Sequence, residues 1–235
     1  MKAEVVQEHR WLWSLWAVML LIGCGGGAVA ASATDDGSGG SSQARGASGT
    51  EEVQQAEQTE AAATRSPLTR ALLARLTVWT RADGHRVYAR HCREATVDCE
   101  SRIIALAALL DRAATGAGLD PFLLGALAVR ESMLNPAAVG ARGEAGILQL
   151  HPRGAGRDVP YVLDAALRDR CQAEVEACQA PVIERAVETL QGSIEHCGSV
   201  EAGLRRYASG RCDAAASYPG HVFDERDRLR ELAEQ

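Results

Sequence analysis

The sequence predicts a mainly α-helical domain, held by disulfides and preceded by a targeting segment and a disordered linker. Three observations carry that expectation. The apolar content is 46% while aromatic residues make up only 4%, so alanine and leucine, both good helix formers, dominate the hydrophobic positions. After Pro67 apolar residues recur at three- and four-residue spacing, and no segment shows the alternation of a long strand. The chain holds 7 cysteines, a high and odd number that assigns one of them a separate task in an exported chain. The net charge of −6 and the lack of any Lys/Arg run argue against a nucleic-acid partner.

Lys2 and Arg10 precede an apolar run from Trp11 to Gly23. A bilayer-spanning helix takes about 20 apolar residues, so this shorter run reads as a secretory signal. It closes on Leu21-Ile22-Gly23-Cys24, which is similar to the lipobox of bacterial lipoproteins. The resemblance implies cleavage before Cys24, lipid on its thiol and a further acyl chain on the freed amine, hence a durable membrane anchor. An ordinary signal cut near Ala28-Val29-Ala30 is the alternative. Either way the mature protein is expected outside the cytoplasm, where disulfides persist. The expected organisation is a signal peptide over 1–23, an acylated Cys24 and linker over 24–66, and a folded domain over 67–235. Gly25-Gly26-Gly27, Gly37-Ser38-Gly39-Gly40 and the Glu/Gln/Ala/Thr stretch from Glu51 to Thr64 hold too few large apolar residues for a core.

Leu68, Leu72, Leu73 and Leu76, with Val78 and Trp79, suggest the first amphipathic helix. Arg102 to Thr115 carries Ile103, Ile104, Leu106, Leu109 and Leu110 at helical spacing, and Gly116 and Gly118 end it. Asp120-Pro121 starts the next helix, with Asp as N-cap and Pro in the first turn. Further helices are expected over Ala180–Ile194, Val200–Tyr207 and Phe223–Ala233.

The helix from Pro121 places Leu123, Leu127 and Glu131 on one face. A carboxylate that ends an apolar face is costly to bury in charged form. Partial burial raises its pKa toward what a general acid needs. The bland alternative is a helix-end Glu paired with Arg130 or Arg142.

The residues after the helix give the carboxyl a context. The run is Glu131-Ser132, Asn135-Pro136, a glycine turn at Gly143-Glu144-Ala145-Gly146, then Ile147-Leu148-Gln149-Leu150-His151-Pro152. It resembles the core of the lytic transglycosylases of the soluble-transglycosylase (SLT) type, which share a goose-lysozyme-like fold. Their pattern is Glu-Ser, Asn-Pro, and a glycine turn into Gly-Leu-Met-Gln-Leu. Further on, Tyr207-Ala208-Ser209-Gly210 is similar to the family's Tyr-Asn-x-Gly, with Ala208 replacing the Asn. The resemblance implies a peptidoglycan lytic transglycosylase with Glu131 as the catalytic residue. Glu131 would first act as acid toward the MurNAc-GlcNAc oxygen and then as base toward the MurNAc C6 hydroxyl, leaving a 1,6-anhydro end. Ser132, Gln149 and Tyr207 would position the sugar.

By the same resemblance the partners are peptidoglycan glycan strands and, through the lipid anchor, a membrane on the periplasmic side of a bacterial envelope. No cofactor is implied, and the histidine and cysteine spacings indicate no metal site. Tyr218 and Phe223 are either cleft-side aromatics or core. Glu144 is expected exposed in its turn, and His151 structural. Two rival readings stand beside the enzyme: an inactive peptidoglycan-binding or scaffold lipoprotein, and a lysozyme-like hydrolase on the same fold.

Setting Cys24 aside leaves Cys92, Cys99, Cys171, Cys178, Cys197 and Cys212. Three disulfides are expected, and neighbour pairing is the simplest of the many arrangements. A straight helix would part cysteines seven residues apart by about 10.5 Å, beyond the roughly 7 Å reach of a disulfide. Cys92–Cys99 and Cys171–Cys178 therefore require a break, which Thr96-Val97-Asp98 could supply. Gln172 to Ala177 reads as more helical.

Overall fold

The computed structural model describes residues 65–89, 92, 98–171 and 174–235. Cys24, the signal segment and the linker through residue 64 lie outside the described residues, as do Thr96 and Val97.

Helix α1 (Pro67–Leu76) starts where Ser66 accepts the Thr69 N–H at 3.2 Å, with Pro67 in its first turn. Leu68, Leu72, Leu73 and Leu76 are buried. The helix does not continue through Val78 and Trp79 as the leucine spacing suggested. Thr77–Thr80 instead forms strand β1, paired antiparallel with β2 (Arg86–Tyr88). The Thr77 hydroxyl donates to the Leu73 carbonyl at 2.7 Å, and the run Thr-Val-Trp-Thr is β-branched and aromatic. Asp83 and Gly84 then turn the chain, with Gly84 at φ +84° and Asp83 accepting the His85 N–H. Val78 and Trp79 end up exposed, not packed.

Helix α2 (Cys99–Gly116) is capped by Asp98, which accepts the Ser101 N–H at 2.9 Å. Helix α3 (Pro121–Ser132) is capped by Asp120, whose Oδ1 accepts the Phe122 N–H at 3.0 Å while Oδ2 takes Arg230 at 2.7 Å. Every residue of α3 from Leu123 to Val129 is buried. The helix is therefore apolar all round, not a one-faced element.

Short helices α4 (Pro160–Leu163) and α5 (Ala165–Arg170) were not legible as periodicity. Helix α6 (Val175–Cys197) begins before Ala180 and outruns Ile194, and α7 (Val200–Ser209) and α8 (Tyr218–Ala233) complete the order. Helices α1, α2 and α8 surround α3, α2 packs on α6, and α6 on α7. Arg75 of α1 and Glu225 of α8 form a two-point ion pair (Nε–Oε1 2.5 Å, Nη2–Oε2 3.1 Å) that closes the ring around α3.

The six cysteines pair as neighbours: Cys92–Cys99, Cys171–Cys178 and Cys197–Cys212, with Cα separations of 5.3, 5.8 and 5.6 Å. Cys171 and Cys178 do not share one helix. Helix α5 stops at Arg170 and α6 starts at Val175, and that break brings the middle pair within bonding distance.

Candidate active site

Glu131 and Ser132 are the last residues but for the cap of the buried helix α3. The chain leaves through two consecutive residues in the left-handed region, Met133 (φ 55°) and Leu134 (φ 56°). The Met133 N–H reaches the Val129 carbonyl at 2.9 Å and the Leu134 N–H the Ala128 carbonyl at 3.3 Å, so the last carbonyls of the helix are met by a left-handed cap. Neither residue is the glycine such a cap favours, so the turn stores backbone strain directly beside the carboxyl.

The segment from Met133 to Leu150 folds back over the helix end, and side chains hold it. The Ser132 hydroxyl lies 2.9 Å from the Ile147 carbonyl and accepts the Asn135 N–H at 3.2 Å. Gln149, at φ 47°, donates its amide to the carbonyls of Ala138 (3.1 Å) and Gly146 (2.9 Å). The Tyr207 hydroxyl donates to the Leu148 carbonyl at 2.9 Å. Two residues outside the motif join them. Tyr161 donates to the Pro136 carbonyl at 2.5 Å, and the Gln179 side-chain oxygen accepts the Ile147 N–H at 3.1 Å. Gly146 has φ +83°, and a Cβ there would stand 2.9 Å from Val182 and 3.2 Å from the Gln179 oxygen. Only glycine lets the turn pass this close to α6.

Ser132, Gln149 and Tyr207 thus meet on one loop beside Glu131, and the polar ends of all three grip its backbone. His151 accepts the Arg153 N–H at 3.1 Å, a local structural bond. Ala208 is exposed on α7. Phe223 is half-buried under the Arg226 guanidinium, 4.9 Å from the ring centre.

The partner of Glu131 is Tyr218, the first residue of α8, whose hydroxyl donates to Oε1. Burial pushes the Glu131 pKa up, the Tyr218 bond and the Arg130 charge pull it back in part, and the Glu144 charge adds to the rise. Its net position is above the usual carboxyl value. Tyr218 and Tyr207 are both pushed up, first by burial and then by the Glu131 charge, so both phenols keep their protons and act as donors.

Glu144 departs from expectation. Its side chain is only 13% exposed, although it sits in the glycine turn. The reason is the company it keeps: it accepts the Arg142 backbone N–H at 3.0 Å and the Arg142 guanidinium at 2.8 Å. Burial raises its pKa, but those N–H groups, its own backbone N–H and the arginine charge outweigh it and hold the group below the usual range. The site therefore contains two carboxyls pushed apart in acidity, the arrangement that separates a proton donor from a permanent anion. Tyr218 was not foreseen as the acid's partner because nothing in the local spacing joins it to Glu131; they lie 87 residues apart.

The arrangement is that of a mainly helical, lysozyme-like domain with a desolvated carboxyl closing its central helix. Residues 108–216 match the family model of the transglycosylase SLT domain. The match contains Glu131, Ser132, Gln149 and Tyr207 and stops just before Tyr218. No match arises among the curated proteins or among the solved structures compared.

Proposed function

We propose that this protein is a peptidoglycan lytic transglycosylase that cleaves the MurNAc-β-1,4-GlcNAc bond and leaves 1,6-anhydro-MurNAc. The observation that carries the reading is the raised, half-buried Glu131 carboxyl held by Tyr218 within a segment that matches the SLT domain. Tyr218 occupies Oε1, which leaves Oε2 to hold the acidic proton. That proton goes to the glycosidic oxygen as the C1–O bond breaks. The resulting Glu131 carboxylate, steadied by the Tyr218 hydroxyl, accepts the proton of the MurNAc C6 hydroxyl as its oxygen bonds C1. The carboxyl returns to its starting state without water entering the balance. A hydrolase would need a second carboxylate free to activate water. Glu144 is the candidate, and its bonds to Arg142 argue against that use.

The test is mass analysis of purified peptidoglycan digested by the oxidised protein beside a Glu131→Gln control. Anhydro-MurNAc ends that fall by a factor of about a hundred or more in the control, the scale of general-acid catalysis, are the expected result. Reducing MurNAc ends would overturn transglycosylation in favour of hydrolysis. No product from folded protein would favour a binding or scaffold lipoprotein.

The same proposal places the protein on the periplasmic side of a bacterial envelope, anchored by acylated Cys24. Labelled fatty acid should enter the parent and not Cys24→Ala, and the variant should leave the membrane fraction. Equal labelling of both would sink the anchor.

A further inference from the structure

Arg102 is the anomaly of helix α2. It lies in the first turns of the helix, is 4% exposed, and its Nε and Nη2 are buried without a hydrogen-bond partner among the described residues. A guanidinium offers five donors and keeps its charge. Leaving it unpaired in an interior is costly, and the positive end of the helix dipole adds to the cost. On packing grounds alone a leucine or methionine would serve better, so the charge calls for an anion that the described chain does not supply.

A pocket of about 580 Å³ opens beside it, within the range of small-molecule sites. One wall is α2, with Ser101, Arg102 and Ala105, and the other is the start of α6, with Glu174 and Glu176. It shares no residue with the Glu131 site. A disulfide ties each wall down: Cys99, in the first turn of α2, to Cys92, and Cys178, in the first turn of α6, to Cys171. Such fixed walls lose little freedom when a ligand arrives.

Neither Glu174 nor Glu176 comes within ion-pair distance of Arg102. A plain anion would meet Arg102 but be repelled by the two carboxylates. A plain cation would meet the reverse. A group with both charges satisfies both walls. We propose that this pocket binds a zwitterionic α-amino-acid group, its carboxylate on Arg102 and its ammonium toward Glu174 and Glu176. On the peptidoglycan reading, on which this last step rests, the carrier is a stem peptide whose diamino-acid residue has a free carboxylate and ammonium on one carbon. Cross-linking turns that ammonium into an amide, so the pocket selects strands with uncross-linked peptides and holds them while Glu131 acts on the glycan.

The experiment is titration calorimetry on the oxidised full chain in detergent. The ligands are meso-diaminopimelate, pimelate (no ammonium) and cadaverine (no carboxylate). Diaminopimelate should bind, and both Arg102→Met and the double variant Glu174→Gln/Glu176→Gln should weaken it by about tenfold or more. Arg102→Met should melt no lower than the parent, because it removes an unpaired buried charge. If it fails to fold, the double variant at two exposed positions decides. Pimelate binding as tightly as diaminopimelate, binding unchanged in the variants, or no binding at millimolar ligand would each overturn the proposal. Lysis of peptide-free glycan reports on the other reading separately. Diaminopimelate binding without lysis would leave the pocket standing and remove only its stem-peptide carrier.

Discussion

Glu131 owes its acidity to its neighbours, and the sign of each contribution can be read from pH profiles. A general acid is active while protonated, so activity should fall as pH rises through its raised pKa. The Glu144 charge adds to that rise and the Tyr218 bond opposes it. Glu144→Gln should therefore move the alkaline limb of kcat/KM to lower pH, and Tyr218→Phe should move it higher while lowering kcat. Equal shifts, or shifts in the same direction, would show that the limb belongs to another group. Linkage gives a companion effect on stability. A carboxyl whose folded pKa lies above its unfolded value binds more protons when folded between the two. Stability then declines as pH rises through that window. Glu131→Gln should accordingly melt above the parent at neutral pH, and the gap should close at a pH below the ordinary carboxyl pKa. Thermal unfolding across pH measures it.

Among the elements, the loop from Met133 to Leu150 shows how strain is held. Three non-glycine residues in it, Met133, Leu134 and Gln149, adopt left-handed backbone, each at a cost of about 1–2 kcal/mol. Ser132, Gln149, Tyr161, Gln179 and Tyr207 offset that cost by bonding its backbone. Gly146 is a point where the loop packs tightly on α6. Gly146→Ala should destabilise by about 2 kcal/mol or more, combining a left-handed alanine with a Cβ pressed on Val182. Denaturant unfolding measures the loss, and an unchanged midpoint would refute the packing account. The motif residues of this loop were legible in sequence because they are close in the chain. Their holders Tyr161 and Gln179 were not, since each belongs to a separate helix and carries no local signature. The hairpin was missed for a related reason. Val78 and Trp79 continue the apolar spacing of α1, and only the turn at Asp83-Gly84 and the Thr-flanked run speak for strands.

Across the whole domain, Cys197–Cys212 supplies the largest share of the covalent stabilisation. It closes a 15-residue separation, against 7 for each of the others. Chain-entropy reasoning gives about 3 kcal/mol for such a loop. It joins the end of α6 to the segment that leads from Tyr207 into Tyr218, so it also sets the two phenols. Cys197→Ser/Cys212→Ser should lower the melting temperature and cost more activity than stability alone explains, measured at a temperature where the variant stays folded. Activity tracking the folded fraction would mean that the bridge only stabilises.

The helical class, the cap at Asp120 and the run from Glu131 to Leu150 were readable from the order of residues, which also made neighbour pairing the simplest arrangement of the cysteines. They depend on groups within a few turns of one another, where spacing and capping chemistry act directly. The same order of residues put Glu131 at the end of an apolar helix but could not tell one apolar face from an apolar surround. Folding in three dimensions was needed to enclose α3 between α1, α2 and α8, to bring Tyr218 to Glu131, and to leave Arg102 unpaired beside a pocket lined from α6. Each of these joins groups far apart in the chain, and burial and electrostatic coupling arise only when packing brings such groups into one low-dielectric place.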